Sequence, residues 1–460
     1  MTRVTLTITD RVASQIKASA AHPQETAGLL LVGISDNPGE LRLLAREFVP
    51  CSDASYAERT SKYLRLESSA WMPALKAASL RGPGTVALFV HSHPQDPPLA
   101  SLADDKVDAD LRPVFQTRLD TSIFGSLVVH LDGETFAFSG RVWRGDELVG
   151  LIESIRLVGR RIVFLSAVDS PNPGPSPEIF DRQIRAFGSD FQRLVGKLHV
   201  GIVGAGGTGS AVGEQLVRLG VGTITVIDDD RVEASNVTRV YGTGLADEGR
   251  LKVDAFADNA KRIALGTVVN PIEGRITTLD AARALRSCDV VFGCTDDLAG
   301  RAILSRLAYW YLIPVFDMGF LIDGQDGDVR GLEGRITTMI PGTACLQCLQ
   351  VLDPAALSAE QLPPAERLVR IDEGYAPGLN HRDPAVIPYT TMVAAWAIGE
   401  LIERIVGFGD RAPFESRLLL HSRKVSTSST PSIDPNHFCS SPGQWGVGDQ
   451  EPFLGRILWA

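Results

Sequence analysis

Residues 198–239 read LHVGIVGAGGTGSAVGEQLVRLGVGTITVIDDDRVEASNVTR, and this stretch constrains the fold more than any other. His199-Val200-Gly201-Ile202-Val203 is a short apolar run with β-branched residues, the pattern of a buried strand. It breaks into Gly204-Ala205-Gly206-Gly207-Thr208-Gly209. Over 210–219, Val212, Leu216 and Leu219 recur on one helical face. Residues 223–227 form a second apolar strand ending on Asp228, 24 residues after Gly204. Strand, glycine turn, helix, strand, acid is the order of a parallel α/β unit that holds a nucleotide. The glycines let backbone approach a phosphate, and the helix N-terminus presents N–H groups and the positive end of its dipole. Asp228 is placed to accept from a ribose hydroxyl.

The turn alone does not say which nucleotide, since NAD, FAD and ATP all use it. The residues downstream of the second strand narrow the choice. Asp228-Asp229-Asp230 leads to Ser235-Asn236-Val237-Thr238-Arg239 and then to Lys252. After a further apolar strand at 289–293 comes Cys294-Thr295-Asp296-Asp297. A dinucleotide dehydrogenase needs no such series of cations and acids around the phosphates. A triphosphate does: Arg and Lys meet its charge, and a carboxylate holds Mg²⁺. With Asp228, Asp230, Ser235, Asn236, Arg239, Lys252 and Asp296 in this order, the stretch resembles the ThiF/MoeB family, bacterial relatives of ubiquitin-activating enzymes. Asp297 departs from the family's pattern, where Asn is usual. The resemblance spans about 180–409 and implies a Rossmann-like adenylation domain. Asp181-Arg182-Gln183-Ile184 looks like the family's N-terminal Arg-Gln motif. It implies that Arg182 reaches into a partner subunit's ATP site, hence a homodimer.

A second chemical centre lies upstream. Residues 85–90 form an apolar strand that runs into His91-Ser92-His93-Pro94. On a strand, residues i and i+2 share a face, so His91 and His93 can bind one ion together. Pro94 ends the strand, 95–98 turns, and Ser101-Leu102-Ala103-Asp104 opens a helix with capping-box spacing. Asp104, in the first turn, offers a third ligand. Two histidines, one carboxylate and an open fourth position describe a catalytic zinc site. Water in that position has its pKa lowered toward ~7. Glu25, at the start of an early strand, is the candidate general base. Each part alone has a plainer reading: an incidental His pair, an ordinary helix start, a surface acid. Together, E…H-x-H-P-x(6)-S-x-x-D resembles the JAB/MPN metalloprotease pattern without departure, over about 4–138. The resemblance implies Glu25 as base, His91, His93 and Asp104 as ligands, and Ser101 as a hydrogen-bonding support for the oxyanion. It also implies cleavage of peptide or isopeptide bonds after the tail of ubiquitin-like proteins.

The 460 residues, 44% of them hydrophobic, suffice for two or three domains. The reading is α/β throughout: an MPN-type domain at 1–166, a Pro-rich linker at 167–179, and the adenylation domain at 180–460. A net charge of −10 argues against nucleic acid or an anionic membrane as the main partner. The most apolar stretch, 392–406, is interrupted by Glu400, Glu403 and Arg404, so it reads as a buried helix. The N-terminus lacks an apolar signal core, and a cytoplasmic location is expected.

Six cysteines in this length do not make a disulfide framework. Cys345-Leu346-Gln347-Cys348 has the spacing of a zinc or redox pair. In the resembling family a second such pair near the C-terminus completes a structural zinc site. Here only Cys439 stands there, with His437 two residues before it. A Cys₃His set is one expectation, and reduced thiols without metal the other. Some members of the resembling family carry a nucleophilic cysteine in the loop before the last long helix, and 353–388 has no counterpart. A thioester, if one forms, falls to Cys345 or Cys348, with Cys294 a weaker choice beside the ATP acids. Cys51 and Cys288 read as packing residues.

These readings combine into a bifunctional enzyme acting on the C-terminus of a small ubiquitin-like or sulfur-carrier protein of the β-grasp type. One half would adenylate with ATP·Mg²⁺, and the other would cleave with Zn²⁺. A downstream conjugating enzyme would be a further partner. Two other classes stand against this: an NAD(H)-binding oxidoreductase and an inactive dimeric scaffold. The cation and acid series opposes the first. Intact Glu25, His91, His93 and Asp104 oppose the second.

Overall fold

A computed structural model of the chain describes residues 2–133, 135–168, 177–325, 327–360, 362, 366, 369, 384–409, 414–419, 424–428 and 432–455. Most of the linker, much of 353–388 and the last residues of the tail therefore lie outside the described residues. The chain groups into two compact units. The first is Met1–Asn172 with Trp310–Leu312 and Pro442–Gly455; the second is Pro173–Tyr309, Ile313–Ser441 and Arg456–Ala460.

In the first unit, β1 (Arg3–Thr9) leads directly into α1 (Asp10–Ala20). Asp10 is the first residue of this helix and Thr9 its N-cap. Thr9 keeps extended angles, and its hydroxyl accepts from Val12 N at 3.4 Å. The strands β2 (Ala27–Asn37) and β3 (Glu40–Pro50) follow, then the small hairpin β4 (Tyr56–Arg59) and β5 (Leu64–Leu66). Next come α2 (Met72–Arg81), β6 (Val86–Ser92), α3 (Leu102–Leu119), β7 (Ile123–Asp132) and β8 (Thr135–Arg144). Residues 149–165, whose pattern is mixed apolar and basic, form two antiparallel strands, β9 (Glu147–Val158) and β10 (Ile162–Ser166). The basic residue that blurred the pattern, Arg156, is buried and donates to Thr7 Oγ1 at 3.1 Å.

The sheet order is β1-β3-β2-β6-β7-β8-β9-β10, and β1 also pairs with β9, so the sheet curls back on itself. Its two faces bury separate cores. Val4, Leu6 and Ile8 pack with Val12 and Ile16 of α1 on one side. Leu29, Leu31 and Phe89 pack with Ala74 of α2 and Phe115 of α3 on the other.

The segment Pro442–Gly455 packs in this first unit rather than with the rest of 180–460. Gly448 bridges to Ile34, Asp449 N donates to Ile34 O at 2.6 Å, and Arg46 Nη2 donates to Gly443 O at 3.0 Å. Two backbones meet here: a Cβ on Gly33 would stand 2.1 Å from Gly446 O. Phe453 and Leu454, apolar enough to be expected to dock, are buried.

The second unit starts with α4 (Asp181–Phe187) and α5 (Ser189–Val195). Its core is β11 (His199–Val203), α6 (Gly207–Leu219), β12 (Thr223–Ile227), α7 (Lys252–Ile263), β13 (Val268–Ile272), α8 (Leu279–Ala284), β14 (Val290–Gly293) and α9 (Leu298–Trp310). Then come β15 (Val315–Gln325), β16 (Asp328–Met339), α10 (Pro354–Glu360), α11 (Ile387–Val406), β17 (Glu415–Leu419) and β18 (Lys424–Ser428). Strand order is β13-β12-β11-β14-β15-β16-β17-β18, parallel up to β15 and antiparallel beyond it. The order reverses between β11 and β14, the switch point at which such sheets open a ligand crevice. Within α11, Glu400 and Arg404 are buried one turn apart at 3.6 Å. Among the described residues no helix is long and apolar enough to cross a membrane.

Candidate functional site

β6 lies between β2 and β7, and its end delivers His91, buried, with His93 just beyond it. The two Nε2 atoms stand 3.2 Å apart. Asp104, on α3, brings Oδ1 to 3.1 Å from His91 Nε2 and Oδ2 to 3.9 Å from His93 Nε2. One ligand atom from each residue lies within 4.8 Å of the others. Asp104 is held there by the helix start itself. Ser101 N and Oγ donate to its Oδ2 at 2.6 and 2.7 Å, and Asp104 N donates to Ser101 Oγ at 3.3 Å. Ser101 therefore orients the ligand carboxylate here, a task additional to the oxyanion role that the resemblance implies.

Electrostatics separates the two acids of this centre. Burial raises the pKa of Asp104, but the hydrogen bond and charge of His91 and the bonds from Ser101 outweigh it. The carboxyl is left well below the usual range. Glu25 precedes β2, is 7% exposed, and is fixed by its N–H donating to Thr60 O at 2.8 Å. Burial pushes its pKa up to about 7, with Asp104 and Asp96 adding to the rise and His91 opposing it. A carboxylate that exchanges its proton near neutrality suits a general base. Two imidazoles and a carboxylate, converging from one strand end and one helix start, fit a catalytic zinc ion.

In the second unit the turn after β11 begins at Gly204, with φ of 93°. A Cβ on Gly209 would stand 1.8 Å from Gly204 O, so the turn closes only around glycine. Gly206 is the N-cap and α6 starts at Gly207, three residues before the apolar periodicity does. Asp228 ends β12 and closes the turn: its Oδ2 accepts from Ala205 N at 2.6 Å and its Oδ1 from Asp230 N at 2.8 Å. Carboxylate oxygens accept more than one bond, so a ribose contact remains open to it.

The cations line this turn. Lys252 opens α7 and sets Nζ 2.6 Å from Asp230 Oδ2. Arg239 donates to Ser235 O at 2.9 Å, and its stem passes 3.5 Å from the Cβ position of Gly207. Asn236 is buried and accepts from Glu233 N at 3.2 Å; Ser235 is exposed. On β14's side of the switch point, Asp296 is exposed. Asp297 caps α9, its carboxylate accepting from Gly300 N at 2.5 Å and from the Thr295 hydroxyl. Asn and Asp serve equally at such a position, so the departure at 297 leaves the helix start intact. The Cys294 thiol is raised by burial, which opposes a nucleophilic role. Arg182 is exposed on α4, and the neighbouring Gln183 amide donates to Arg218 O at 3.0 Å. That contact is at the far end of α6, a 13-residue helix, hence about 20 Å from the glycine turn.

The third cluster draws on distant parts of the same unit. His437 Nδ1 stands 3.2 Å from Cys345 Sγ, 3.6 Å from Cys348 Sγ and 3.4 Å from Cys439 Sγ. The Cys348 and Cys439 sulfurs are 3.5 Å apart. His437 Nε2 lies 2.9 Å from Gln347 Oε1; an N–H donated there leaves the Nδ1 lone pair facing the sulfurs. The bond from Cys439 lowers the Cys345 pKa to about 5 against burial, with the His437 charge adding to it. Three sulfurs and one imidazole fit a structural zinc site. Cys348 and His437 border an open pocket of about 420 Å³. Tyr309, near the end of α9, stacks edge-on against Phe438 and donates to Thr343 O at 2.9 Å. The cluster thus sits at the opposite end of α9 from Asp296, and 13 helical residues span about 20 Å.

Residues 180–441, more than half of the chain, match the ThiF family. The chain belongs to the ThiF family. Residues 11–129 match the prokaryotic homologs of the JAB domain, so this ThiF-family chain carries the two units in the expected order. Its curated relatives include the molybdopterin-synthase adenylyltransferase of Escherichia coli K12, 31% identical over 177 residues, 38% of this chain and 68% of that protein. The SAMP-activating enzyme E1 of Haloferax volcanii is 30% identical over 148 residues, 32% of this chain and 52% of that protein. The chain thus spans about two thirds of the first relative and half of the second. A crystal structure of E. coli MccB with ATP aligns over 57% of this chain and 75% of that one, at 17% identity and a TM-score of 0.45.

Two groups of this ThiF-family unit reach the crevice without any motif to announce them. Thr390, in the first turn of α11, stands 3.4 Å from the Cβ position of Gly207, because α11 packs on α6. Glu360, which ends α10, accepts from Leu298 N at 3.3 Å and Ala299 N at 2.7 Å beside Asp296. Tertiary packing places both, and sequence spacing carries no signal for either.

Proposed function

We propose that this chain uses ATP to activate the C-terminal carboxylate of a small ubiquitin-like or sulfur-carrier protein, and cleaves peptide or isopeptide bonds after the same kind of tail. The observation that carries this reading is the pairing, in one chain, of two built centres. One is a His₂Asp set with a buried acid poised near neutrality. The other is a glycine turn flanked by Arg239, Lys252 and Asp296. The adenylyltransferase names of the curated relatives support the second half.

In the second unit, the N–H groups at the start of α6 would receive phosphate oxygens, and Asp296 would hold Mg²⁺. Lys252 exchanges Asp230 for phosphate, and Arg239 lies over the turn to meet the same charge. The tail carboxylate attacks the α-phosphorus, pyrophosphate leaves, and an acyl-adenylate forms. Both reactants are anionic, so neutralisation and positioning supply most of the acceleration. Arg182, about 20 Å from its own turn, acts in the partner of a homodimer. Cys345, Cys348, His437 and Cys439 hold structural zinc. Their distance from Asp296 speaks against a thioester on Cys345 or Cys348. Three reduced thiols at this spacing suit a cytoplasmic location.

In the first unit, zinc supplies Lewis acidity and an activated water. With zinc held there, Glu25 would take a proton from the attacking water and pass it to the leaving amine. Ser101 fixes Asp104, and Asp104 with His91 and His93 fixes the metal. Incubation with a cognate β-grasp protein and ATP, followed by mass spectrometry, tests both halves. An adenylate and a clipped tail are the expected products. Absence of pyrophosphate–ATP exchange with every β-grasp protein tried would sink the adenylation half.

A further inference from the structure

The two histidines of the N-terminal centre are not supported alike. His93 Nδ1 faces the Pro97 carbonyl at 3.1 Å. His91 Nδ1 is buried and has no hydrogen-bond partner. With Nε2 turned toward Asp104 and His93, Nδ1 carries the proton whenever this ring ligates an ion. A buried N–H without an acceptor bears its full desolvation penalty. Metal-binding histidines normally donate that second N–H to a carboxylate, a carbonyl or water.

The ring stacks on Phe89 at 5.3 Å, on the inner face of β6. Phe89 is register partner to Ser126 on β7, and His91 to Val128. Above Ser126 stands Asp108, one turn after Asp104 on α3 and 3% exposed. Its Oδ2 accepts from Ser126 Oγ at 2.8 Å and from Arg141 Nη2 at 2.5 Å. Arg141 also meets Asp105. Asp105, Asp108 and Arg141 sum to one net negative charge, set a helical turn behind the ligands. Burial raises the Asp108 pKa, while the Ser126 bond and the charges of Arg141 and His91 pull it down, so the two side chains sense each other. Glu25 also senses the charges of His91, Asp104 and Asp96.

We propose that Asp108 is the positioning residue for His91: its carboxylate, held by Ser126 and Arg141, takes the Nδ1–H of His91 when Nε2 binds the metal. No hydrogen bond joins the two in the metal-free chain; a bridging water would complete the link. The inference rests on the zinc reading of this centre and extends it by one shell.

The test uses the full chain loaded with zinc. Zinc is drawn off with a chromophoric chelator, and a His93→Ala control identifies the ion that belongs to this centre. The ¹⁵N-attached proton of His91 Nδ1 is followed by NMR. Asp108→Ala is expected to release this zinc about 10–100-fold more readily and to shift the Nδ1–H resonance. Asp108→Asn, which keeps volume and an acceptor oxygen, recovers part of both and serves if the alanine variant does not fold. Unchanged zinc affinity in both Asp108 variants, with only a lower melting temperature, overturns the proposal. A wild-type chain that holds no zinc at this centre instead overturns the zinc reading beneath it.

Discussion

Glu25 destabilises the fold in the same act that makes it useful. Its folded pKa of about 7 lies above the ordinary 4.5, so between these values the folded chain binds the proton more tightly than the unfolded one. The contribution to stability is full below 4.5 and is lost as pH rises through 7. Glu25→Gln removes this titration. In the metal-free chain the variant should melt above wild type at pH 7.5, with the gap closing by pH 4.5; a gap that ignores pH in calorimetry contradicts the assignment. The same variant should cut a tail substrate about 10²–10⁴-fold more slowly while keeping its zinc. Arg239→Ala should lower pyrophosphate–ATP exchange about 100-fold or more through the loss of a cation on the phosphates. The residues of both centres were legible because spacing on a strand or in a first helical turn fixes which face a side chain takes. Ser101's bond to Asp104 was legible only as a capping box. That the same bond aims a ligand depends on where β6 lies, which local spacing does not contain.

The elements were legible where periodicity and breakers agree, as in β11, α6 and β12. They were not where a buried charge interrupts the pattern, as Arg156 does in β9. The glycine turn is the element most exposed to test. Gly209→Ala sets a methyl 1.8 Å from Gly204 O, against backbone that has nowhere to go. ATP binding by calorimetry should vanish in this variant, while zinc in the first unit stays. The Cys-His cluster is the converse case. Its first half was a motif, and its second half a broken one in which only tertiary structure brings His437 and Cys439 to Cys345. Cys439→Ser should lower the zinc content by about one ion per chain and leave tail cleavage intact, since the ion proposed there would be structural. Zinc content equal to wild type's by metal analysis would return the cluster to plain thiols.

At the scale of the molecule, the assignment of Pro442–Gly455 to the first unit was beyond sequence reading. No motif marks a segment that is held by backbone approach at Gly33, by Arg46 on the Gly443 carbonyl and by the Asp449 carboxylate, which accepts from Asp36 N at 2.7 Å. The partner contribution proposed for Arg182 would likewise be a property of an assembly, which one chain does not display. The helix that carries it meets the far end of α6, about 20 Å from its own glycine turn, whereas Lys252 lies beside that turn. If the proposed homodimer completes each site with its partner's arginine, the two residues belong to different chains of one site. Arg182→Ala and Lys252→Ala should then each abolish exchange alone. Co-folding equal amounts of the two variants should give half heterodimers with one intact site in two, restoring about 25% of wild-type exchange by the symmetry of a twofold dimer. If Arg182 served its own chain's site, a heterodimer would carry one broken residue at each site, and the mixture would stay silent.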